Sequence, residues 1–383
     1  MQLRLSVLAS LFLLSSAVNA EDFVSVQYMS YDEDSGRTTI HTPAVEINKE
    51  FGVDYTLNAT FVHDTVSGAS PTYYDASSGA SAKLPSGITD RKDIVYGNVP
   101  YEEKRTAVGI TLTKRFPSRD ELKIGYDYSD ENDYTSNEIS MEFLHFLDSS
   151  KNSSLSLGLS YQKNDADIYC FLGNEECDTV SSASSKVVTK DLDVITGEIG
   201  YTRIIDKTSL IKGSVFYIYE DGYLSNPYMR VVRDYYTSPK ISPERKPDER
   251  KAYGATLEYA KALSDKLSSV VSYRFYDDDW DITSHTLNIK AYYEYNDKLT
   301  IGVGFRGYTQ TAAKFFSGRR DFFTDQKYAS SDRRVSEFDS YNYDMTLSYE
   351  LNEKTVVNMG VGYYDQPEYF DAFYYDLGFK YFF

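Results

Sequence analysis

Thr286-Leu287-Asn288-Ile289-Lys290-Ala291-Tyr292-Tyr293-Glu294-Tyr295, then Asn296-Asp297-Lys298, then Leu299-Thr300-Ile301-Gly302-Val303-Gly304-Phe305-Arg306 is the stretch that decides the fold. Leu287, Ile289, Ala291, Tyr293 and Tyr295 alternate with Thr286, Asn288, Lys290, Tyr292 and Glu294. After the polar turn, Leu299, Ile301, Val303 and Phe305 alternate with Thr300, Gly302, Gly304 and Arg306. Side chains on an extended strand point alternately to opposite faces, so this is a hairpin with one greasy and one polar side. In a soluble sandwich the greasy side faces a core; in a membrane barrel it faces lipid.

The same period of two recurs on either side. Leu267, Val271, Tyr273 and Phe275 oppose Ser268, Ser272 and Arg274; Tyr341, Tyr343, Met345, Leu347 and Tyr349 oppose Asn342, Asp344, Thr346 and Ser348. Strands are predicted to begin near Phe23, Thr38, Tyr55, Arg105, Leu122, Glu138, Leu155, Asp191, Leu210, Tyr253, Leu267, Thr283, Leu299, Tyr341, Val356 and Phe373. Every second connection is short and polar, as at Glu50-Phe51-Gly52, Pro117-Ser118, Ser149-Ser150-Lys151, Asp206-Lys207, Ser264-Asp265, Asn296-Asp297 and Asn352-Glu353. The connections between them are longer, and those at about 63–103, 163–188, 220–250 and 310–336 are very long. Short turns on one side and long loops on the other are the asymmetry of outer-membrane barrels, and a sandwich has no reason to keep it. The expectation is an all-β transmembrane antiparallel up-and-down β-barrel of sixteen strands, with both termini in the periplasm. No repeat of 20–50 residues accompanies the spacing, which tells against a propeller.

Composition agrees. The 383 residues include 37 Tyr and 21 Phe but one Trp and 10 Pro. Such a surplus of amphipathic rings suits two membrane interfaces better than a globular core. A formal charge of −18 makes nucleic acid an unsuitable partner. Residues 1–20 read as a signal peptide: Arg4, an apolar Leu5–Val18 core too short to span a bilayer, and Val18-Asn19-Ala20 before a cut at Glu21. The barrel then occupies 21–383. Cys170 and Cys177, an even count in an exported chain, are expected to form a disulfide within one long loop.

The segment Asp376-Leu377-Gly378-Phe379-Lys380-Tyr381-Phe382-Phe383 resembles the signal read by the barrel-assembly machinery, with Asp376, Gly378, Tyr381 and Phe383 at its marked positions. Tyr375, Leu377, Phe379, Tyr381 and Phe383 would form a lipid-facing stripe. Other segments carry a family likeness: Ser67-Gly68-Ala69-Ser70-Pro71, Asp75-Ala76-Ser77-Ser78-Gly79-Ala80-Ser81, Glu131-Asn132-Asp133-Tyr134, Gly222-Tyr223-Leu224-Ser225-Asn226-Pro227-Tyr228, Tyr276-Asp277-Asp278-Asp279-Trp280 before His285-Thr286-Leu287, and more weakly Gln310-Thr311-Ala312-Ala313-Lys314-Phe315. In these the chain resembles a family of Gram-negative outer-membrane β-barrel proteins catalogued only as a domain of unknown function. The resemblance implies an outer-membrane address and a periplasmic partner of thioredoxin-like or flavin-attaching kind. It supplies no substrate and no catalytic residue.

The residues themselves carry little chemistry. His41, His63, His145 and His285 are far apart in sequence, and Ser284 and His285, being adjacent on a strand, point to opposite faces and cannot form a dyad. No phosphate loop, zinc spacing or dinucleotide fingerprint occurs, so the sequence reads as non-enzymatic. The acidic run Asp277, Asp278, Asp279 and Asp281, like Asp32-Glu33-Asp34, falls at an extracellular strand end. It offers oxygen ligands of the kind Ca²⁺ takes but lacks the glycine and distal glutamate of an EF-hand loop; solvated rim charge is the plainer reading.

The alternation sends a mixed set of charges inward: Lys123, Asp127, Glu198, Lys212, Glu258, Arg274, Lys290, Glu294, Arg306, Asp344, Glu350 and Lys380. An Arg or Lys turned to lipid at mid-membrane costs about 2–4 kcal/mol, so the inverted register is disfavoured several times over. Arg274, Lys290 and Arg306 would form a basic wall, with Glu258, Asp344 and Glu350 as counter-charges. Two outcomes fit: an aqueous channel for passive passage of small polar solutes, narrowed by an infolded loop such as 63–103, or a closed barrel that anchors or serves a periplasmic, redox partner.

Overall fold

The computed structural model describes residues 22–75, 94–170, 186–318, 322–367 and 369–383. The leader 1–20 and Cys177 lie outside them, as does the side chain of Cys170. The strands are β1 (Phe23–Glu33), β2 (Thr38–Phe51), β3 (Tyr55–Asp75), β4 (Ile94–Arg115), β5 (Glu121–Glu131), β6 (Tyr134–Phe146), β7 (Ser153–Cys170), β8 (Lys186–Asp206) and β9 (Ser209–Gly222). They continue with β10 (Arg230–Arg233), β11 (Lys240–Pro243), β12 (Glu249–Ala262), β13 (Leu267–Asp278), β14 (Thr283–Asn296), β15 (Leu299–Gln310), β16 (Phe338–Asn352), β17 (Thr355–Gln366) and β18 (Phe370–Phe382).

Among the described residues, β10 and β11 pair with each other and the other sixteen strands close into one antiparallel barrel. The ring follows chain order, β9 meeting β12 across the inserted hairpin and β1 meeting β18. Closure leaves no strand edge unpaired, which is what a bilayer without hydrogen-bonding solvent demands of a sheet. The fold is a transmembrane antiparallel up-and-down β-barrel of sixteen strands.

The register fixes the faces. Leu257 pairs with Tyr273, Tyr273 with Leu287 and Val271 with Ile289, all exposed on the outer wall. Tyr201, Tyr259, Tyr293, Tyr349 and Tyr381 project outward near the short turns, and Tyr128, Tyr161, Tyr217, Tyr253, Tyr341 and Tyr363 higher up. Two tyrosine belts follow, as expected of rings with an apolar body and a polar tip. In β18, Tyr375, Leu377, Phe379, Tyr381 and Phe383 are all exposed outward, while Asp376 and Gly378 share the inner face, Gly378 opposite Gln27.

Glycines on the inner face make room for large neighbours. A Cβ on Gly254 would collide with the Phe216 ring and the Phe275 carbonyl, and one on Gly362 with the Tyr374 ring. Aromatic side chains lying over strand glycines cover the backbone there and pin the register.

The long connections differ from expectation. The segment 63–103 does not fold into the mouth in its described part: β3 and β4 stay paired from Tyr55↔Lys114 up to Asp75↔Ile94. Residues such as Thr65, Val66, Thr72, Tyr73, Val95 and Tyr96 favour a strand and extend the ladder past the membrane. Likewise β7 and β8 run well into 163–188.

Candidate functional site

Opposed side chains in neighbouring strands share a face, so the cross-strand rows show what lines the lumen. One row is Ser214, Thr256, Arg274, Thr286, Tyr308 and Ser340. The next toward the periplasm is Lys212, Glu258, Ser272, Asn288, Arg306 and Asn342. Below it come Val270, Lys290, Gly304, Asp344, Gly362 and Tyr374. Elsewhere in the ring, Gly109, Asp127, Glu138 and Gln162 form one row and Lys123, Glu142, Gly158 and Glu198 another.

The charges separate by arc. On β5–β8 the inner wall carries Asp127, Glu138, Glu142 and Glu198, with Lys123 held by Glu142 at 3.3 Å. On β9–β15 it carries Lys212, Arg274, Lys290 and Arg306 with Glu258. These arcs adjoin in the ring order, β8 pairing directly with β9. Asp127, Glu198 and Arg274 are exposed although they point inward, so the lumen beside them is wide enough for water.

Arg274 and Arg306 lie close enough to repel. Each is supported by an aromatic face, Arg274 at 4.5 Å from the Phe216 ring centroid and Arg306 at 5.1 Å from that of Tyr308. Lys290 interacts electrostatically with Asp344 and Glu258. Glu294 and Glu350 stand apart: both adjoin register shifts beside periplasmic turns, away from the mid-lumen charges. Lys380 lies over the Phe23 ring at 3.6 Å.

The extracellular mouth is crossed by two folded loops, 223–248 and 311–337, which are not the segment expected to narrow it. The first starts at β9, yet the backbone N–H of Arg230 donates to Thr72 Oγ1 on β3 at 3.1 Å, and the Tyr228 hydroxyl donates to Asp133 in the β5–β6 turn. The second starts at β15, yet the Arg333 guanidinium lies over Tyr96 of β4 and over Tyr369. Together the loops have cores of their own. Trp280, Ile282, Ala313, Phe315 and Val335 form one, Tyr73, Ile94, Val232 and Ile241 another, and Val231, Phe322 and Ala329 a third.

Polar ties join the cap. Lys246 Nζ lies 3.1 Å from both Glu244 and Asp332, Arg334 makes a two-pronged contact to Asp332 at 2.6–2.9 Å, and Ser330 Oγ donates to Glu244 at 2.5 Å. Glu244 and Asp332 are buried. Burial pushes the Asp332 carboxyl up, but Arg334 and Lys246 pull harder and hold it well below the usual carboxylate range. Under the cap, Arg250 binds Asp278 at 2.6 Å, lies 3.6 Å from Glu220 and stacks 4.6 Å from the Trp280 ring.

That arrangement reassigns the acidic run at 277–281. Asp278 accepts from Arg250, the Tyr276 hydroxyl and the backbone N–H groups of Trp280 and Ile282. Asp277 accepts from Thr283 Oγ1 and Asp279 from the Lys251 N–H, while Asp281 adopts a positive φ of 69° in the turn. The run is a hydrogen-bonded corner supporting Trp280. Among the described residues, carboxylates that converge as ligands are instead Glu103, Glu131 and Asp133. The sequence reading missed Arg250, Glu220, Lys246 and Asp332; the one signal for them was the lone Trp set among aspartates. Ser284 is buried inward, whereas His285 faces outward against the Tyr273 hydroxyl at 2.6 Å, so the two form no dyad.

The chain is similar in fold to CdiB from Acinetobacter baumannii, with a TM-score of 0.52 at 8% identity over 96% of this chain and 61% of that one. It therefore spans about three-fifths of the length of that protein. A bacterial polysaccharide outer-membrane secretin aligns at 7% identity over 96% of this chain and 100% of that one, TM-score 0.48. The CymD monoaromatic hydrocarbon channel aligns at 9% over 96% and 89%, TM-score 0.44. No curated protein matches the chain in sequence. The model of one family does match, from residue 5 to residue 373, and by that match the chain belongs to DUF3570, a family of proteins of unknown function.

Proposed function

We propose that the protein is an outer-membrane channel of a Gram-negative bacterium for passive passage of small polar solutes, with the loop cap as its constriction. The observation that carries this reading is the lumen wall. An acidic arc on β5–β8 adjoins a mainly basic arc on β9–β15, and inward Asp127, Glu198 and Arg274 are exposed to the lumen. Charges retained on an inner wall need water or each other, and an aqueous path meets that need while imposing a transverse field. Residues 1–20 would direct export, and the Asp376–Phe383 segment would engage the barrel-assembly machinery.

The cap favours a second reading, a barrel closed outside that serves a periplasmic partner, in line with the redox association the family resemblance suggests. Conductance of the purified protein in planar bilayers separates the two. Steps of steady ionic current support the channel; a silent bilayer with correctly folded protein moves the assignment to the closed barrel.

A further inference from the structure

Three carboxylates meet at the extracellular rim, one of them, Asp133, being the acceptor of the Tyr228 hydroxyl. Glu103 midway along β4, Glu131 at the end of β5 and Asp133 in the turn after it each present an oxygen within 4.8 Å of the others. Glu103 is only 8% exposed, and its Oε1 is buried with no hydrogen-bond donor. Arg105 acts on Glu131, but that guanidinium is already clasped by Asp64. Glu103 also lies within hydrogen-bond reach of Asp133, and burial and the neighbouring carboxyls push it up, so the cluster holds its charge only if a proton or a cation joins it.

We propose that Glu103, Glu131 and Asp133 form a Ca²⁺ site. The ligands are all hard oxygens. Ca²⁺ takes six to eight such oxygens at about 2.3–2.6 Å in flexible geometry, whereas Mg²⁺ demands a near-ideal octahedron at about 2.0–2.1 Å, which carboxylates from two strands and a turn are less suited to supply. A cleft beside Glu131 and Asp133 is lined also by Asp130, Asp165 and Asp167, together with Lys104 and His63, so its charge is predominantly acidic. Asp133 also accepts the Tyr228 hydroxyl, so an ion here would tie the crossing loop to the rim.

The test is titration of CaCl₂ into the metal-free, detergent-solubilised full chain by calorimetry, with MgCl₂ in parallel. One Ca²⁺ is expected per chain, bound more tightly than Mg²⁺. Glu103→Gln and Asp133→Asn should each weaken binding at least tenfold, and the Glu103→Gln/Glu131→Gln pair should abolish it. Asp148→Asn in a periplasmic turn should leave it unchanged. Heat-modifiable gel mobility reports whether each variant has folded, and the less buried Asp133→Asn serves should the Glu103 variants not assemble. Absence of Ca²⁺ binding by the wild type, or equal binding by folded Asp133→Asn, overturns the proposal.

Discussion

Lys290 and Asp344 stand on strands that do not touch, β14 and β16, and attract each other across Gly304 of β15 in a single cross-strand row. A Cβ on Gly304 would run into the Asp344 carboxylate, so the glycine keeps the lane between the two charges clear. Lys290 is thereby partly neutralised, while Arg274 and Arg306 rest on aromatic faces and keep their net charge.

The filter should therefore depend more on the two arginines than on the lysine. Arg274→Ser/Arg306→Ser is expected to shift the reversal potential toward cations in a salt gradient, with folding intact. Lys290→Ser removes one positive charge rather than two and should shift it less. Equal shifts for both variants, or none, would remove the arginines from this role.

The cap should loosen in acid. The Asp332 carboxyl is held below its unfolded value, about 3.9, so the stability it supplies is fully present above that pH and is lost as pH falls through the folded value. The expected window is below about pH 4. Pepsin cleavage within 311–337 should accelerate there while the barrel still migrates as a folded species. Asp332→Asn should loosen the cap at neutral pH, because removing one partner of a buried ion pair typically costs about 3–5 kcal/mol.

The closed barrel should resist detergent at room temperature and change its gel mobility only on boiling. Gly254→Val drives a side chain into the Phe216 ring and the Phe275 carbonyl, both of which have little room to move. Overpacking of this kind costs about 1–3 kcal/mol or more, and the variant should lose the compact band at a lower temperature than wild type. An unchanged transition would mean that the row relaxes freely.

Cys170 and Cys177 should resist thiol reagents in native, unreduced protein. Their loop is short, so the bond is expected to add at most about 2–3 kcal/mol, and reduction should affect the local connection more than the barrel. Two titratable thiols in oxidised, folded protein would contradict the pairing.

The barrel was legible because its physics is periodic. Leu287 to Tyr295 shows one face per residue type, and the period of two survives on every strand, so both strand number and register follow from residue spacing. Strand ends were less legible: above the membrane no lipid enforces alternation, and β4 begins at Ile94 where the pattern suggests Arg105. The cap was not legible at all. The Lys246–Asp332 contact joins residues 86 positions apart, and nothing in either loop's composition names its partner. The role of the acidic run around Asp278 was hidden for a related reason, since adjacency in sequence placed four carboxylates together while the fold gives Asp277, Asp278 and Asp279 separate donors and sets Asp281 in the turn. Glu103 and Asp133, which do converge, are separated by a whole hairpin.

Neighbours around the ring follow one another in the chain, β9 and β12 across the inserted hairpin, except β1 and β18, which pair from Phe23↔Phe382 to Glu33↔Ala372 with no connection between them. That junction is where an unzipping force would begin. Above it, Arg37 donates to the Tyr369 carbonyl at 3.4 Å and stacks on Phe370, and the Asp371 N–H donates to Asp34. Arg333, from a loop that starts three strands away, spans from Tyr369 on one side of the junction to Tyr96 on the other. The cap is thus also a clasp on the seam, and on the channel reading a motion that lifted it would at the same moment release a tie across the one junction that no chain connection closes.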